Sequence, residues 1–187
     1  MSTLAITAIS PDEFDEFIAY LNEHLSENGT PEVSYFQPLS RSTSSFSLDR
    51  EAAFPAGLDI SVGDQGWRRA WVTRGREGKI IGHIDLRGHN ERHTEHRCLL
   101  GMGVHRVCRM QGIGFALIRH AKLWAASTKL LERIDLQVIS ANHAALALYR
   151  KAEFAQVGEI ERMFKIDGQY LTYTTMTAPV PGARGSV

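Results

Sequence analysis

The stretch that most narrows what this chain can become is Arg109-Met110-Gln111-Gly112-Ile113-Gly114, with the apolar run Leu99-Leu100-Gly101-Met102-Gly103-Val104 before it and Phe115-Ala116-Leu117-Ile118 after it. A strand, a tight glycine turn and a helix start meet there. The first backbone N–H groups of a helix have no partner inside it, and the aligned peptide dipoles leave partial positive charge at that end. Such a place binds phosphate. Glycine at 112 and 114 tolerates the dihedrals of a tight turn, and a side chain at either position is expected to hold a pyrophosphate away from those N–H groups. No G-x-x-x-x-G-K-[ST] run occurs, and Leu117 stands where G-x-G-x-x-G would need its last glycine.

A second segment lies about thirty residues downstream: Leu136-Gln137-Val138-Ile139-Ser140-Ala141-Asn142-His143-Ala144-Ala145-Leu146-Ala147-Leu148-Tyr149-Arg150-Lys151-Ala152-Glu153-Phe154. Asn142 is a good N-cap, and Ala145, Leu146, Leu148 and Tyr149 recur at helical spacing, so a short helix leaves a strand. The first segment, R-x-x-G-x-G after a strand, resembles the acetyl-CoA signature of the GNAT superfamily of N-acetyltransferases. The second resembles that superfamily's L-x-V-x-x-x-N-x-x-A-x-x-L-Y-x-x-x-G-F pattern. Their order and separation also match. The resemblance covers residues 67 to 177 well and the first 66 weakly.

The resemblance implies an α/β fold of mixed α+β type: a splayed, mostly antiparallel central sheet flanked by helices and closed by a C-terminal β-hairpin. It implies acetyl-CoA as co-substrate and direct transfer of the acetyl group to a primary amine of a small molecule, amino acid or peptide. In that scheme the backbone of Met102, Gly103 and Val104 pairs with the pantetheine arm. Met110, Gln111, Gly112, Ile113, Gly114 and Phe115 wrap the pyrophosphate, with Arg109 counted among the cofactor-binding residues. Asn142 bonds the pantetheine or caps its approach, and Tyr149 protonates the departing thiolate as general acid, a role suited to a phenol of ordinary pKa about 10. Family members often form homodimers, so a homodimer is the assembly the resemblance suggests, although no exposed apolar stripe argues for it.

The chain departs from the pattern at three places. Glu153 replaces the glycine that usually ends the second helix, so a residue with a side chain is expected in the left-handed conformation. The two strand positions where family members carry a glutamate base fall on Cys98 and Gln137. An alkylammonium must still lose a proton before it attacks a thioester. His96 is the base expected, sharing the strand face of Cys98, Leu100 and Met102 and titrating near neutrality, with Glu95, His83, Asp85 and a water chain as alternatives.

The missing carboxylates keep a second reading open: a non-catalytic module that senses acetyl-CoA or binds a protein. A third rests on His89-Asn90-Glu91-Arg92-His93-Thr94-Glu95-His96, whose three histidines suggest a metal; the order is not H-E-x-x-H and the segment lies between strands, so no metal is expected. With 21 Lys plus Arg against 21 Asp plus Glu, net charge is zero, which argues against nucleic acid as partner. No apolar stretch reaches the ~20 residues of a membrane span and no signal peptide is evident, so a cytoplasmic location is expected. Two cysteines, Cys98 and Cys108, support no disulfide framework.

Along the chain, Leu4 to Ile9 reads as a strand. Ser10-Pro11-Asp12-Glu13 is a helix start, followed by Phe14, Phe17, Ile18, Leu21 and Leu25 on one face and a stop at Asn28-Gly29. Residues 30 to 46 are an irregular Ser/Thr/Pro-rich stretch expected to shape the acceptor site. Ser47 opens a second helix, broken at Pro55-Ala56-Gly57. A hairpin spans 67 to 86, strands are expected at 98 to 104 and 132 to 139, helices at 112 to 127 and 142 to 152, and a last hairpin turns at Asp167-Gly168. One domain over 1 to 177 and a disordered tail over 178 to 187 complete the reading.

Overall fold

The computed structural model describes residues 4–183. Seven strands form one sheet in the order β1-β2-β3-β4-β5-β7-β6: β1 Ile6–Ala8, β2 Arg68–Arg74, β3 Ile80–Arg87, β4 Arg97–Val104, β5 Arg133–Ile139, β6 Ala155–Ile166 and β7 Gln169–Pro179. All neighbours are antiparallel except β4 and β5, which run parallel. That parallel pair is short: Arg97, Cys98 and Leu99 register with Arg133, Ile134 and Asp135, and no pairing follows. The two strands diverge from there, so the sheet carries a V-shaped gap in its middle. Gln137, on a central strand, is exposed for that reason.

Four helices pack on the sheet: α1 Phe14–Ser26, α2 Leu48–Asp59, α3 Ile113–Thr128 and α4 His143–Lys151. One face is covered by α3 and α4, where Ile113, Leu117, Ile118, Ala121, Leu146 and Tyr149 join Ile84, Cys98, Leu100, Leu136 and Met176 in the main core. Phe17, Tyr20 and Leu21 of α1 and Phe54 of α2 bury against Ala70, Val72 and Ile80 on the other face. Burial of apolar surface at roughly 25 cal/mol per Å² drives both layers. The entry to α1 follows the sequence signal, with the Glu13 carboxylate accepting from the Ser10 N–H at 3.0 Å and the Ser10 hydroxyl at 2.8 Å.

Two local readings change, and a third gains detail. Pro55 does not break the second helix, which runs through it to Asp59. A mid-helix proline costs about 3 kcal/mol. Here Phe54 is buried beside it under the Arg68 guanidinium, 4.3 Å from the ring centroid, and Gly57 lets the helix meet the Gly66 carbonyl, so tertiary packing outweighs the local cost. The irregular stretch after α1 is tightly held: the buried Asn28 side chain donates to the Gln37 and Leu39 carbonyls and accepts from the Phe36 and Gln37 N–H groups. At the chain's end, β7 passes the boundary expected at residue 177, and Val180 is buried with its N–H on the Glu132 carbonyl. Of the expected tail, residues 184–187 lie outside the described residues.

Candidate active site

The glycine turn delivers the chain from the end of β4 into α3 with Met110 at φ 61° and Gly112 at φ 81°. Met110 is 96% exposed. The first helical bond of α3 is Ala116 N–H to the Gly112 carbonyl, so none of the six N–H groups from Met110 to Phe115 donates to another described group. Six free donors and the positive end of a 16-residue helix converge on one open spot.

The two glycines serve different ends. A side chain at Gly112 would enter open space but demand a left-handed backbone, whereas a Cβ at Gly114 would sit 2.9 Å from Leu148 Cδ2 and 3.2 Å from Met102 Cε. Gly114 is therefore a packing requirement, bringing α3 against β4 and α4. Arg109 faces away from the turn: its Nε donates to the Val104 carbonyl at 3.1 Å and its Nη2 to Glu27 at 2.9 Å, which braces the end of β4 against α1. Gln111 folds back, its Nε2 on the Val107 carbonyl.

Met102 and Val104 point toward α3. The intervening Gly101 and Gly103 face the opposite side, where a Cβ on Gly103 would meet His24 and His83 and one on Gly101 would meet Asp85 and Arg87. Tyr20 links these layers, donating its hydroxyl to the Gly103 carbonyl at 3.2 Å and lying 3.3 Å from His83 Nδ1. Burial depresses the pKa of His83 to about 4 and that of His24 to about 3, so both rings are neutral at pH 7. His24 Nδ1 is buried with no hydrogen-bond partner among the described residues. Asp85 accepts from Arg68 and Arg87 at 3.0 Å each, and these two cations hold its carboxyl below the ordinary range despite burial.

Across the gap, Asn142 caps α4 by accepting from the Ala145 N–H at 3.2 Å. About two helical turns later Tyr149 is buried, and burial, with the neighbouring Tyr173, pushes its phenol up to about 12. Its hydroxyl bonds to no described residue. Glu153 adopts φ 66°, as its place at the helix end requires, and Lys122 secures that end by donating to the Ala152 carbonyl at 2.7 Å.

His96 is not brought to this place. It precedes β4 at the closed end, its carbonyl accepting from the Glu132 and Arg133 N–H groups. Six residue steps along the strand, ~20 Å at the usual rise, separate it from Met102. Cys98 is fully buried and its thiol is pushed up by burial, which removes it as base or nucleophile at neutral pH. In the histidine loop, His89 turns inward to Asp135 at 3.0 Å, beside Arg97. Among the described residues no group of three or more His, Cys, Asp or Glu is arranged to hold a metal ion.

Two residues that read in the sequence only as turn formers hold the loops beside this gap. Asn28, read as a helix stop, organises residues 36 to 39. Asp167, read as a turn residue, accepts from the Tyr35 and Ser40 hydroxyls at 2.6 Å each and from the Arg41 N–H, clamping the β6–β7 turn to the α1–α2 segment. A cleft of about 280 Å³ beside this clamp is lined by Tyr35, Arg41, Ile139, Ala141, Gln169 and Leu171 among others. Asn-rich or Asp-rich turns carry no sequence mark of which distant loop they will hold.

Residues 40–154 match the family described as Acetyltransferase (GNAT) family, and the chain belongs to that family of acetyltransferases. Solved structures share its fold. A GNAT-family acetyltransferase from Streptococcus pneumoniae superposes with TM-score 0.77 at 22% identity, covering 95% of this chain and 99% of that one. A phosphinothricin acetyltransferase from Sinorhizobium meliloti, solved with AcCoA, gives 0.75 at 15% identity over 99% of this chain and 92% of that one. A spermidine N-acetyltransferase from Vibrio cholerae, solved with CoA and spermine, gives 0.71 at 18% identity over 96% and 97%. No curated protein matches significantly. No helix among the described residues is long and apolar enough to cross a membrane.

Proposed function

We propose that the protein transfers the acetyl group of acetyl-CoA directly to a primary amine. The observation that carries this reading is the run of free N–H groups from Met110 to Phe115 at the head of α3, set beside the edge of β4 that β5 leaves unpaired. The first receives the pyrophosphate, and the second receives the amide-bearing pantetheine arm as an added strand along Met102, Gly103 and Val104. The thioester then lies in the gap, between Tyr149 on one side and the Gly101–Gly103 face on the other.

The amine approaches from that glycine face. Asp85, weighed from the sequence as an alternative to His96, is the anion beside Gly101; two arginines keep its carboxylate ionised, so it attracts and orients the ammonium, whose proton leaves to water. The neutral nitrogen attacks the thioester carbonyl, the C–N bond forms as the C–S bond breaks, and the nitrogen gives its second proton to water. Sulfur leaves as thiolate and takes the Tyr149 proton, which the phenol regains from water. A phenol with a raised pKa is fully protonated before the step, as a general acid must be.

Two measurements test the reading together: calorimetric titration with acetyl-CoA, and release of CoA thiol with polyamines, amino acids, aminoglycosides and peptide N-termini as acceptors. Saturable binding and acceptor-dependent thiol release are expected. Absence of binding refutes the reading of the turn, and binding without transfer to any amine favours a sensing module.

A further inference from the structure

Arg87 and Asp85 stand two residues apart on the same face of β3 and lean over the same glycine of β4. A Cβ at Gly101 would lie 2.6 Å from Asp85 Oδ1 and 3.2 Å from Arg87 Nη1, so both charged tips occupy the space that this glycine leaves empty. Gly101 is also the second β4 residue past the last β5 pairing, at the root of the gap. The pair is only half engaged. Asp85 uses Oδ2 for both arginines, leaving Oδ1 without a hydrogen bond among the described residues, and Arg87 gives Nη1 to Asp85 with its other donors bonded to none of them. Asp85 is buried at its side chain while Arg87 keeps 37% of its side chain accessible.

On the reading of this gap as the transfer site, we propose that the acceptor is an amine bearing a carboxylate close to its nitrogen, as in an α-amino acid, with Arg87 receiving the carboxylate and Asp85 Oδ1 the ammonium. The free edges of one ion pair present an acceptor and a planar fork of donors side by side, and the fork matches a carboxylate in two-point geometry. A polyamine offers no anion and would bring a second cation toward Arg87.

Matched acceptors that differ only in the carboxylate test this: L-leucine against 3-methylbutylamine, L-phenylalanine against 2-phenylethylamine, and L-lysine against 1,5-diaminopentane. The amino acid of at least one pair is expected to have the higher kcat/KM, through a lower KM. In Arg87→Met that preference should fall at least about tenfold, the loss expected when a charge-assisted pair is removed, and Arg87→Lys should retain part of it. Acetyl-CoA affinity measured on each variant shows that the fold and the turn remain intact. Equal or reversed preference in the wild type, no transfer to any member while acetyl-CoA still binds, or an Arg87→Met variant that keeps the preference would each overturn the acceptor assignment. Failure of the wild type to bind acetyl-CoA would instead overturn the underlying reading of the site.

Discussion

Replacing Tyr149 by phenylalanine isolates one proton. The ring packs against Phe154 with centroids 5.9 Å apart at 61°, and phenylalanine keeps that contact. The lost hydroxyl has no hydrogen-bond partner among the described residues, so its removal strands no buried donor or acceptor. The expected change in stability is therefore within about 0.5 kcal/mol, or a Tm shift under about 2 °C for a chain of this size. Acetyl-CoA affinity should stay within about threefold, because the phosphate grip at Met110 to Phe115 is untouched. Loss of the general acid should lower the chemical step by about 10 to 100-fold, equivalent to about 1.4 to 2.7 kcal/mol of barrier. Single-turnover thiol release, with acetyl-CoA and acceptor saturating, measures that step apart from product release. The wild-type rate should show no loss of this acid up to pH 10, because the phenol is raised to about 12. Equal single-turnover rates in the two proteins would remove Tyr149 from the mechanism and leave it as a packing residue.

Gly112→Val should weaken acetyl-CoA binding at least about tenfold by calorimetry, since φ 81° strains a β-branched residue and its methyls enter the space before the free N–H groups; unchanged affinity would contradict the phosphate assignment. Asn28→Ala removes four hydrogen bonds to residues 36 to 39, and a loss of about 2 to 3 kcal/mol in denaturant unfolding is expected, with faster amide exchange at those residues and an unchanged Kd for acetyl-CoA. For the buried His24 and His83 the unfolded pKa of about 6.5 exceeds folded values of about 3 and about 4, so the unfolded chain binds more protons in mild acid. Stability should then fall as pH drops from about 6.5 toward 4, and a His24→Leu/His83→Leu variant should flatten that slope in urea titrations; an unaltered slope would show that these rings titrate normally. Asp167 is held down to about 2 by the Ser40 and Tyr35 hydroxyls and the Arg41 N–H, so the clamp it forms should persist from neutral pH to about pH 4 and be lost in Asp167→Ala, seen as a higher acceptor KM.

Much of the architecture is written in local pattern. The free N–H groups at Gly112, the Asn142 cap and the strained Glu153 each depend on a few consecutive residues, and the period of the apolar positions assigns strands and helices without knowledge of their partners. The α2 helix is the instructive failure: Pro55 and Gly57 read as a break, yet the burial of Phe54 and the approach of Gly57 to Gly66 come from elements outside the helix. The distance of His96 from the gap is hidden for a related reason. A strand's two-residue period tells which face a side chain takes, but not how far along the strand the neighbouring strand separates.

What the order of amino acids determined by itself was the glycine turn at the head of α3, the helix carrying Tyr149 and the kind of sheet that holds them, because those features arise from short-range sterics and hydrogen bonding. Only the tertiary structure decided that β4 and β5 part after Leu99 and Asp135, that Gly114 serves packing, that Asp167 clamps a loop more than a hundred residues away, and that Asp85 and Arg87 share the space above Gly101. Those are contacts between segments distant in the chain, and their geometry is set by how whole layers bury one another rather than by any neighbouring residue.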